Sequence, residues 1–565
     1  MRTKNVNAYR NITHPGQRLP MTRGIRNRRL LLGSLLMVLL AAAVPRPTFA
    51  ESGFKPIPTQ FIAALAAPTA TSGTGAEAWG LWTLDPGVSF DGQSPLLWRG
   101  VYESLLDYKG DTLEFIPSLA ESFTVSDDKK TYTFKIRKGV KFTDGEALDS
   151  EAVKFNIERQ IKVKLGIAFA LAPITAMETP DKDTLILKLS QFSDGFLSAF
   201  AALVTVGIIS PKAIRDNEKN NDGAQEWLRS NMVGTGPYIM KSYTQSQQAV
   251  MVRNPDYWRG WDGDHFERII VKYVHEASSA QLLLEQGESD VALFLPDDVV
   301  ESLDGKPGLM VTNVPSFEIY YLMMNCKKGP TADVRVRRAI AQGFNYEAFI
   351  QGTLRGKAER AHGPVPSTFV GHADTPIYDY NVEKAKKLLA DAGYPNGGFK
   401  LKYTYESGYF WKRPLGELFQ SNMKDLGIEV EIQELSPAAW AGLLSNPETA
   451  DHSFGVVWWP TLATPYDYLW SLFHTGAQGS AGYNWGYYSN PEVDKLLDQG
   501  SVEPDEAKRF ALYARAQQLI VEDSPALFVY EKNYRLPMSD QLKGFVYNGM
   551  RSATFDFYNL SSSKA

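Results

Sequence analysis

The side chains best suited to hold a ligand are aromatic residues that cluster in the last quarter of the chain. Trp458 and Trp459 directly follow Phe454–Val457, an apolar run with the length and composition of a buried strand. Tryptophan and tyrosine combine a large apolar face with one polar group, which suits the wall of a ligand pocket. If the strand continues through both tryptophans, only one of them can face such a pocket. Core packing is the ordinary explanation for any single aromatic residue, so the cluster indicates binding chemistry only as a set.

The same sequence gives little support for catalysis or for a built-in metal site. It contains no G-x-S-x-G motif that would carry a nucleophilic serine, and no carboxylate spacing singles out an acid–base pair. Gly234-x-Gly236 lacks the third glycine and the Lys-Ser/Thr of phosphate-binding loops, so we interpret it as a turn before a strand at Tyr238–Lys241. No two histidines stand three or four positions apart, and Cys326 is the only cysteine. We therefore predict no catalytic residue, no cofactor and no protein-built metal site, with an exported hydrolase as the alternative class.

Residues 119–159 show how strands and helices alternate along the chain. Apolar and polar residues alternate through Tyr132–Ile136, which predicts a half-buried strand. Asp144-Gly145 is a turn dipeptide, and Asp149 or Ser150 can cap the helix that follows. Comparable patterns predict helices at Ser278–Gln286, Asp333–Asn345, Val382–Ala392, Arg413–Leu426, Asn490–Gly500 and Pro504–Asp523, and strands at Leu185–Leu189, Ile428–Ile432 and Ala526–Tyr530. This alternation predicts mixed α/β lobes.

The first fifty residues have the pattern of a secretory signal peptide. They contain nine Lys and Arg but no Asp or Glu, and arginines precede the apolar run Leu30–Val44. Thr48-Phe49-Ala50 places small residues at the positions that signal peptidase reads, which predicts cleavage before Glu51. The apolar run is short for a membrane span. Met21 could be the true start, and the Arg28-Arg29 pair leaves both the general and the twin-arginine export routes open.

Charge and cysteine content bound the class of the exported protein. Without residues 1–50 the chain keeps 64 acidic and 50 basic side chains, a net charge of about −14. Such an acidic protein is a poor partner for nucleic acid or for an anionic membrane. A single cysteine allows no internal disulfide, and no cysteine follows the signal to carry a lipid. We expect a periplasmic protein, and its length predicts at least two domains.

Several motifs together resemble the large bacterial extracellular solute-binding proteins of family 5, which serve ABC importers of peptides, nickel complexes and opines. The segment of residues 119–159 carries the most specific part of this resemblance. Others occur in the family's order: Thr83-Leu84-Asp85-Pro86, Val101-Tyr102-Glu103-Ser104-Leu105, Val233-Gly234-Thr235-Gly236-Pro237-Tyr238, Asn254-Pro255-Asp256-Tyr257-Trp258, Asp333-Val334-Arg335-Val336-Arg337-Arg338-Ala339-Ile340 and Asn490-Pro491-Glu492-Val493-Asp494. Each motif is weak alone, but their order along the chain is specific.

The resemblance implies an α/β, two-lobed periplasmic binding protein fold of type II, with an extra subdomain and a ligand cleft between the lobes. It implies a signal peptide at 1–50, a flexible segment at 51–75, a proximal lobe from 76–104, 210–312 and 525–565, an extra subdomain at 105–209, and a distal lobe at 313–524. The lobes would close over the solute by a hinge motion. The implied partners are a small-molecule or peptide-like ligand and an ABC permease of the inner membrane, with the protein acting as a monomer; a sensor for a membrane receptor is a further alternative.

The resemblance also implies where the ligand lies, because the strand end at Trp458 and Trp459 lines the cleft in relatives. The predicted ligand-binding residues are Trp458, Trp459, Thr461, Leu462, Tyr409, Tyr483, Asn484 and Trp82.

This chain departs from the family's peptide binders just after the tryptophans. Those relatives commonly place an aspartate there, which pairs with the peptide's α-amino group, but this chain has Thr461 and Leu462 and no acid before Asp467. Glu406, Asp451 or Asp467 could replace that aspartate only if the fold brings one of them near. We therefore predict weak binding of free di- and tripeptides and a preference for a ligand without a free α-amine.

Overall fold

The fold is built around one large mixed sheet whose strands come from both ends of the chain. The computed structural model describes residues 60–66, 83–88, 94–201, 206–274, 276–479, 482–551 and 554–563. The predicted signal peptide and Trp82 lie outside these residues. The described residues belong to one compact unit that spans Lys55–Ala565.

The elements of the described residues are as follows. The strands are β1 (Gln60–Ala66), β2 (Leu106–Tyr108), β3 (Phe115–Pro117), β4 (Ala120–Val125), β5 (Thr131–Ile136), β6 (Ile174–Asp181), β7 (Thr184–Leu189), β8 (Tyr238–Thr244), β9 (Gln248–Arg253), β10 (Arg268–Val274), β11 (Val291–Leu293), β12 (Leu309–Met324), β13 (Ala358–Arg360), β14 (Lys400–Glu406), β15 (Glu429–Leu435), β16 (Ser453–Trp458), β17 (Ala526–Ser539), β18 (Leu542–Lys543) and β19 (Ser561–Ser562). The helices are α1 (Ser94–Val101), α2 (Ser150–Val163), α3 (Ala168–Leu171), α4 (Pro211–Asn217), α5 (Gln225–Leu228), α6 (Ala277–Glu285), α7 (Asp297–Leu303), α8 (Val334–Gly343), α9 (Tyr346–Ala348), α10 (Val382–Asp391), α11 (Lys412–Lys424), α12 (Pro437–Leu444), α13 (Pro465–Phe473), α14 (Pro491–Ser501) and α15 (Glu506–Asp523).

Two long antiparallel strands, β12 and β17, join the two halves of the main sheet. The strand order is β15-β14-β16-β12-β17-β11-β1-β10-β9-β8, with β13 added on β17. The register between β12 and β17 shifts between Pro315 and Ile319, which marks a break in the middle of the sheet. Strands β1 and β8–β11 lie on one side of the break, and β14–β16 lie on the other. We call β1 and β8–β11 the proximal strands and β14–β16 the distal strands.

The pairing of β17 shows that this strand contributes to both halves of the main sheet. Ala526 pairs with Met323, and Glu531 pairs with Ile319, so the first half of β17 belongs with the distal strands. Ser539 pairs with Leu309, so the second half belongs with the proximal strands. The sequence pattern at Ala526–Tyr530 identified only the first half, because the later residues of β17 do not continue its apolar run.

A smaller antiparallel sheet, β4-β5-β7-β6, forms the extra subdomain together with α2. The predicted alternation at Tyr132–Ile136 is confirmed, because Tyr132, Phe134 and Ile136 are buried and their neighbours are more exposed. Asp149 is the helix cap, and its side chain accepts a hydrogen bond from the Ala152 amide. The predicted helices are confirmed as α6, α8, α10, α11, α14 and α15, each within about two residues at its ends.

The extra subdomain shares a continuous apolar core with the distal lobe. Phe196 and Phe200 of the subdomain belong to the same cluster of buried side chains as Trp458 and Tyr468 of the distal lobe. The proximal strands have a separate core that includes Phe61, Met251 and Phe557. Apolar packing therefore holds the subdomain against the distal lobe.

Candidate functional site

The best candidate site lies at the carboxyl ends of two parallel strands, β14 and β16. Their register pairs Tyr403 with Ser453 and Thr404 with Phe454, so both strands end at the same edge of the sheet. Glu406 ends β14, and Trp458 ends β16. Ligands of open α/β sheets bind outside the carboxyl ends of parallel strands, where loops leave a crevice. Here the two strand ends enclose a cavity of about 150 Å³.

Both tryptophans line this cavity. Trp458 is the last residue of β16, where it pairs with Ile319, and Trp459 is the first residue beyond the strand. The alternation that would send the second tryptophan to the opposite face therefore does not apply to Trp459. The side chains of Trp458 and Trp459 reach the same space from adjacent positions.

A chain of edge-to-face aromatic contacts continues the wall away from Trp458. The ring centroids of Trp458 and Tyr483 lie 4.8 Å apart, and those of Tyr483 and Trp485 lie 5.5 Å apart. Trp485 in turn contacts Trp440 of α12 at 5.3 Å. These distances and tilted planes are those that aromatic pairs prefer, so the rings support one another as a fixed surface. The cavity thus has a preformed apolar wall.

The opposite wall carries the charges. Glu406 and Lys412 are 6% and 1% exposed, and their Oε1 and Nζ atoms lie 2.5 Å apart. The Lys412 ammonium also lies 4.1 Å from the ring centroid of Tyr409 and 4.8 Å from that of Trp440. Burial lowers the pKa of Lys412, and the Glu406 carboxylate opposes that shift. The second carboxylate oxygen, Oε2 of Glu406, is buried and has no hydrogen-bond partner among the described residues.

The three acids that could replace the missing aspartate have different positions in the structure. Glu406 lies in the cavity wall, although it is paired with Lys412. Asp451 precedes β16, at the opposite end of that strand from Trp458, and its carboxylate lies 3.7 Å from Lys402 Nζ. Asp467 belongs to the first turn of α13, and its Oδ2 accepts a hydrogen bond of 2.8 Å from the amide of Thr461, which lies in the loop between β16 and α13.

Asp467 is a buried carboxylate next to the loop between β16 and α13, which carries Thr461. Burial raises its pKa to about 7, against the lowering effect of the Thr461 amide, the Trp458 indole and the Leu462 amide. The indole Nε1 of Trp458 lies near the carboxylate but outside hydrogen-bonding geometry. Asp467 therefore organises the loop that carries Thr461 and lies next to the Trp458 indole.

This environment predicts a pH response of the loop near neutrality. Because the native pKa of Asp467 is raised to about 7, protonation favours the folded state, and stability from this group falls as pH rises from about 4 to about 7. We expect the tryptophan emission of the native protein to titrate with a midpoint near pH 7. Asp467→Asn should remove that titration, whereas Asp127→Asn, at an exposed position, should retain it. An unchanged emission titration in Asp467→Asn would contradict this assignment.

The predicted site residues divide into three groups. The cavity wall includes Trp458, Trp459, Thr461, Tyr409 and Tyr483. Leu462 and Asn484 do not line it, and Trp82 lies outside the described residues.

Leu462 and Asn484 have structural surroundings instead. Leu462 is buried and faces Gly195 of the extra subdomain. The Asn484 amide donates to the carbonyls of His474 and Tyr488 at 3.0 and 2.8 Å, and its carbonyl accepts from the Tyr488 amide at 3.1 Å. Asn484 therefore shapes the loop that presents Tyr483 and Trp485.

Sequence reasoning missed Trp440, Trp485 and Lys412 as cavity residues. Trp440 lies on α12, a separate element 18 positions before Trp458, and Lys412 is a charged residue in the first turn of α11, which the sequence gives no reason to place in a pocket wall. The available signal was the run of aromatic residues around Tyr409 and Tyr483. That run shows which loops contain aromatic side chains, but it does not show which of these loops come together in the folded protein.

Within the described residues, no cluster of three or more His, Cys, Asp or Glu side chains is placed to hold a metal ion. None of their helices has both the length and the apolar character needed to cross a bilayer.

The sequence and the fold both match known proteins. Residues 114–480 match the family model described as bacterial extracellular solute-binding proteins, family 5, middle. The probable D,D-dipeptide-binding periplasmic protein DdpA of Escherichia coli is 31% identical over 484 residues, which cover 85% of this chain and 92% of that protein. Heme-binding protein A of Haemophilus influenzae is 27% identical over 495 residues, which cover 81% and 86%.

A solved structure shows the same fold. It is the ABC transporter-associated periplasmic binding protein DppA from Helicobacter pylori, in complex with the peptide STSA. It superposes with a TM-score of 0.75 at 24% identity, over 89% of this chain and 98% of that one. This agreement identifies the two-lobed architecture.

Proposed function

This chain belongs to the bacterial extracellular solute-binding proteins of family 5, and we propose that its aromatic cavity captures the solute which it delivers to an ABC importer. Members of the family bind peptides or other small ligands and work with ABC permeases, and they are binding proteins rather than enzymes. The observation that carries the proposal is the position of the cavity at the carboxyl ends of β14 and β16. A preformed aromatic wall with a few buried polar groups is typical of a small-molecule site.

Closure over the ligand is supported by contacts that join the extra subdomain to the distal lobe. Asp194 of the subdomain forms an ion pair of 3.2 Å with Arg509 of α15, and both side chains are less than one-tenth exposed. Asp194 also accepts hydrogen bonds from Tyr513, at 3.0 Å, and from the Thr464 hydroxyl. Thr464 lies in the loop between β16 and α13, which also carries Thr461 of the cavity wall. The contact with Asp194 and the cavity wall therefore share one loop. We interpret this arrangement as the closed form.

The contact at Asp194 should contribute to affinity by stabilising closure. In an open form both charges regain water, whereas in the closed form Asp194→Ala would leave Arg509 buried without its carboxylate. We expect Asp194→Ala to weaken ligand binding roughly tenfold, since apparent affinity falls with the population of the competent state. Small-angle scattering of the ligand-saturated variant should give a larger radius of gyration than the saturated native protein.

The matched control is Asp183→Ala, which removes an exposed ion pair with Lys138 on the same subdomain. Asp183→Ala should leave the ligand affinity and the radius of gyration unchanged. If Asp194→Ala also binds and scatters like the native protein, the contact is not part of closure.

The cavity wall of this chain, rather than the names of its relatives, supports our proposal for the ligand class. The relatives above are named for a D,D-dipeptide and for heme, and the solved structure holds a peptide. In this chain the loop after Trp459 supplies Thr461 to the cavity, and the nearby acid Asp467 accepts a hydrogen bond from the Thr461 amide. We propose that free di- and tripeptides bind weakly, because their α-ammonium finds no unpaired carboxylate in this loop.

Location and assembly complete the proposal. The pattern of residues 1–50 supports export to the periplasm with cleavage before Glu51, and we propose that the mature protein acts as a monomer.

One experiment tests function, processing and assembly together. Native mass spectrometry of protein purified from the periplasm should show one chain that begins at Glu51 with one small solute, released chemically unchanged on unfolding. A mass that retains residues 30–50 would refute the cleavage, and a dimer mass would refute the monomer. Release of an altered solute would favour a hydrolase. In a separate uptake assay on cells, unchanged solute uptake after deletion of the permease would favour a sensor role.

A further inference from the structure

One corner of the cavity is formed by a buried carboxylate and a buried ammonium group. Oε1 of Glu406 and Nζ of Lys412 lie 2.5 Å apart, in a wall where both side chains are more than nine-tenths buried. The faces of Tyr409 and Trp440 cover the ammonium at 4.1 and 4.8 Å. The cation therefore has a carboxylate and two aromatic faces as partners, and the pair carries no net charge.

The carboxylate has one oxygen left to satisfy. Oε2 of Glu406 is buried and has no hydrogen-bond partner among the described residues. A buried acceptor without a donor costs free energy, and a charged acceptor costs more than a neutral one. A ligand hydrogen placed on this oxygen would therefore stabilise the complex more than the same hydrogen on a solvated group.

The charge balance of the corner decides which donor fits. A ligand ammonium on Oε2 would lie within a few ångströms of the Lys412 ammonium and leave a net positive charge in an enclosed space. A ligand carboxylate would offer no hydrogen and would repel Glu406. A hydroxyl or an amide N–H supplies the hydrogen and leaves the corner neutral.

The rest of the cavity decides the shape of the group that carries this donor. Its wall is made of the rings of Trp440, Trp458, Trp459, Tyr483 and Trp485. A cavity of about 150 Å³ is large enough for one six-membered ring, as engineered cavities of that size bind benzene. Flat apolar faces pack well on such walls.

We propose that the corner formed by Glu406 and Lys412 is a subsite for a neutral hydroxyl or amide N–H donor carried on a ring-sized or planar ligand group. This inference rests on the proposed function and names its ligand class. Hydroxylated sugar rings and amide-blocked peptides share this chemistry, and free peptide termini lack it.

The test uses three kinds of probe on the mature protein. They are the free dipeptides alanyl-alanine and alanyl-phenylalanine, the same dipeptides N-acetylated and C-amidated, and the neutral disaccharides cellobiose and maltose. Binding is measured by isothermal titration and by tryptophan emission. We expect one neutral class to bind at least about tenfold more tightly than the free dipeptides, and the two neutral arms distinguish a sugar from a blocked peptide.

Substitutions at Glu406 and Lys412 then test whether this corner is the source of the affinity. Glu406→Gln should weaken the bound neutral probe about tenfold or more, because it removes the charged acceptor. Glu406→Gln with Lys412→Met removes both charges, so it should fold and still lose the same affinity. The matched control is Glu434→Gln on β15, whose carboxylate accepts a hydrogen bond of 2.8 Å from Tyr405 outside the cavity. It should bind like the native protein.

Three results would overturn the subsite: free dipeptides that bind as tightly as the neutral probes, no binding of any neutral probe, or native affinity in both Glu406 variants. The proposed function is judged separately. A protein that retains a solute in native mass spectrometry but gives one of these results keeps its binding role and loses the subsite. A protein that carries no solute and supports no uptake loses both.

Discussion

Replacing Trp458 or Trp459 with alanine is expected to weaken solute binding by about 2–4 kcal/mol, which is roughly thirtyfold to a thousandfold in Kd. The two rings line the same cavity, and Trp458 is held in place by its contact of 4.8 Å with Tyr483. Truncation would remove apolar contact and leave a void that water fills. Titration of each variant with the co-purified solute measures the loss.

Trp470→Ala is the matched control for these variants. Trp470 is half-buried on α13, where it stacks on His474 with ring centroids 5.6 Å apart, and it does not line the cavity. This variant should bind like the native protein. Thermal unfolding of all three variants separates lost binding from lost stability. Native affinity in both cavity variants would assign the two tryptophans to packing alone.

Breaking the ion pair between Asp85 and Arg159 is expected to destabilise the fold by about 3–5 kcal/mol. Asp85 is fully buried, and its oxygens accept hydrogen bonds of 3.0 and 2.5 Å from the Arg159 guanidinium, which also donates to the Gly223 carbonyl at 2.8 Å. This pair anchors α2 of the extra subdomain to the proximal lobe. Asp85→Ala leaves a buried guanidinium without its carboxylate, and denaturant unfolding should show the loss.

Two further variants make this result specific. Asp85→Leu with Arg159→Met removes both charges and should recover most of the stability, because two apolar side chains avoid the desolvation cost. Glu114→Ala removes the exposed pair with Lys109 and should cost less than about 1 kcal/mol. If Asp85→Ala unfolds like Glu114→Ala, the buried pair does not hold the subdomain.

Local elements were predictable because their signals lie within a few neighbouring residues. Tyr132–Ile136 alternates with the period of a strand, and Asp149 places a carboxylate where a helix exposes amide groups. Ordered motifs such as Thr83-Leu84-Asp85-Pro86 indicated the family, and the buried pair of Asp85 with Arg159 gives one physical reason for that motif. The sequence did not show this partner, because Arg159 lies 74 positions away.

The sequence by itself determined the class of protein, its two-lobed architecture and the loops that carry the aromatic rings. Tertiary structure alone decided which side chains share the cavity, because parallel pairing of β14 with β16 brings Glu406 and Lys412 opposite Trp458 and Trp459. It also decided the partners of the acids: Asp467 accepts a hydrogen bond from the Thr461 amide, and Glu406 keeps one oxygen without a partner among the described residues. Burial and pairing depend on neighbours from remote parts of the chain, and a local pattern contains no information about them.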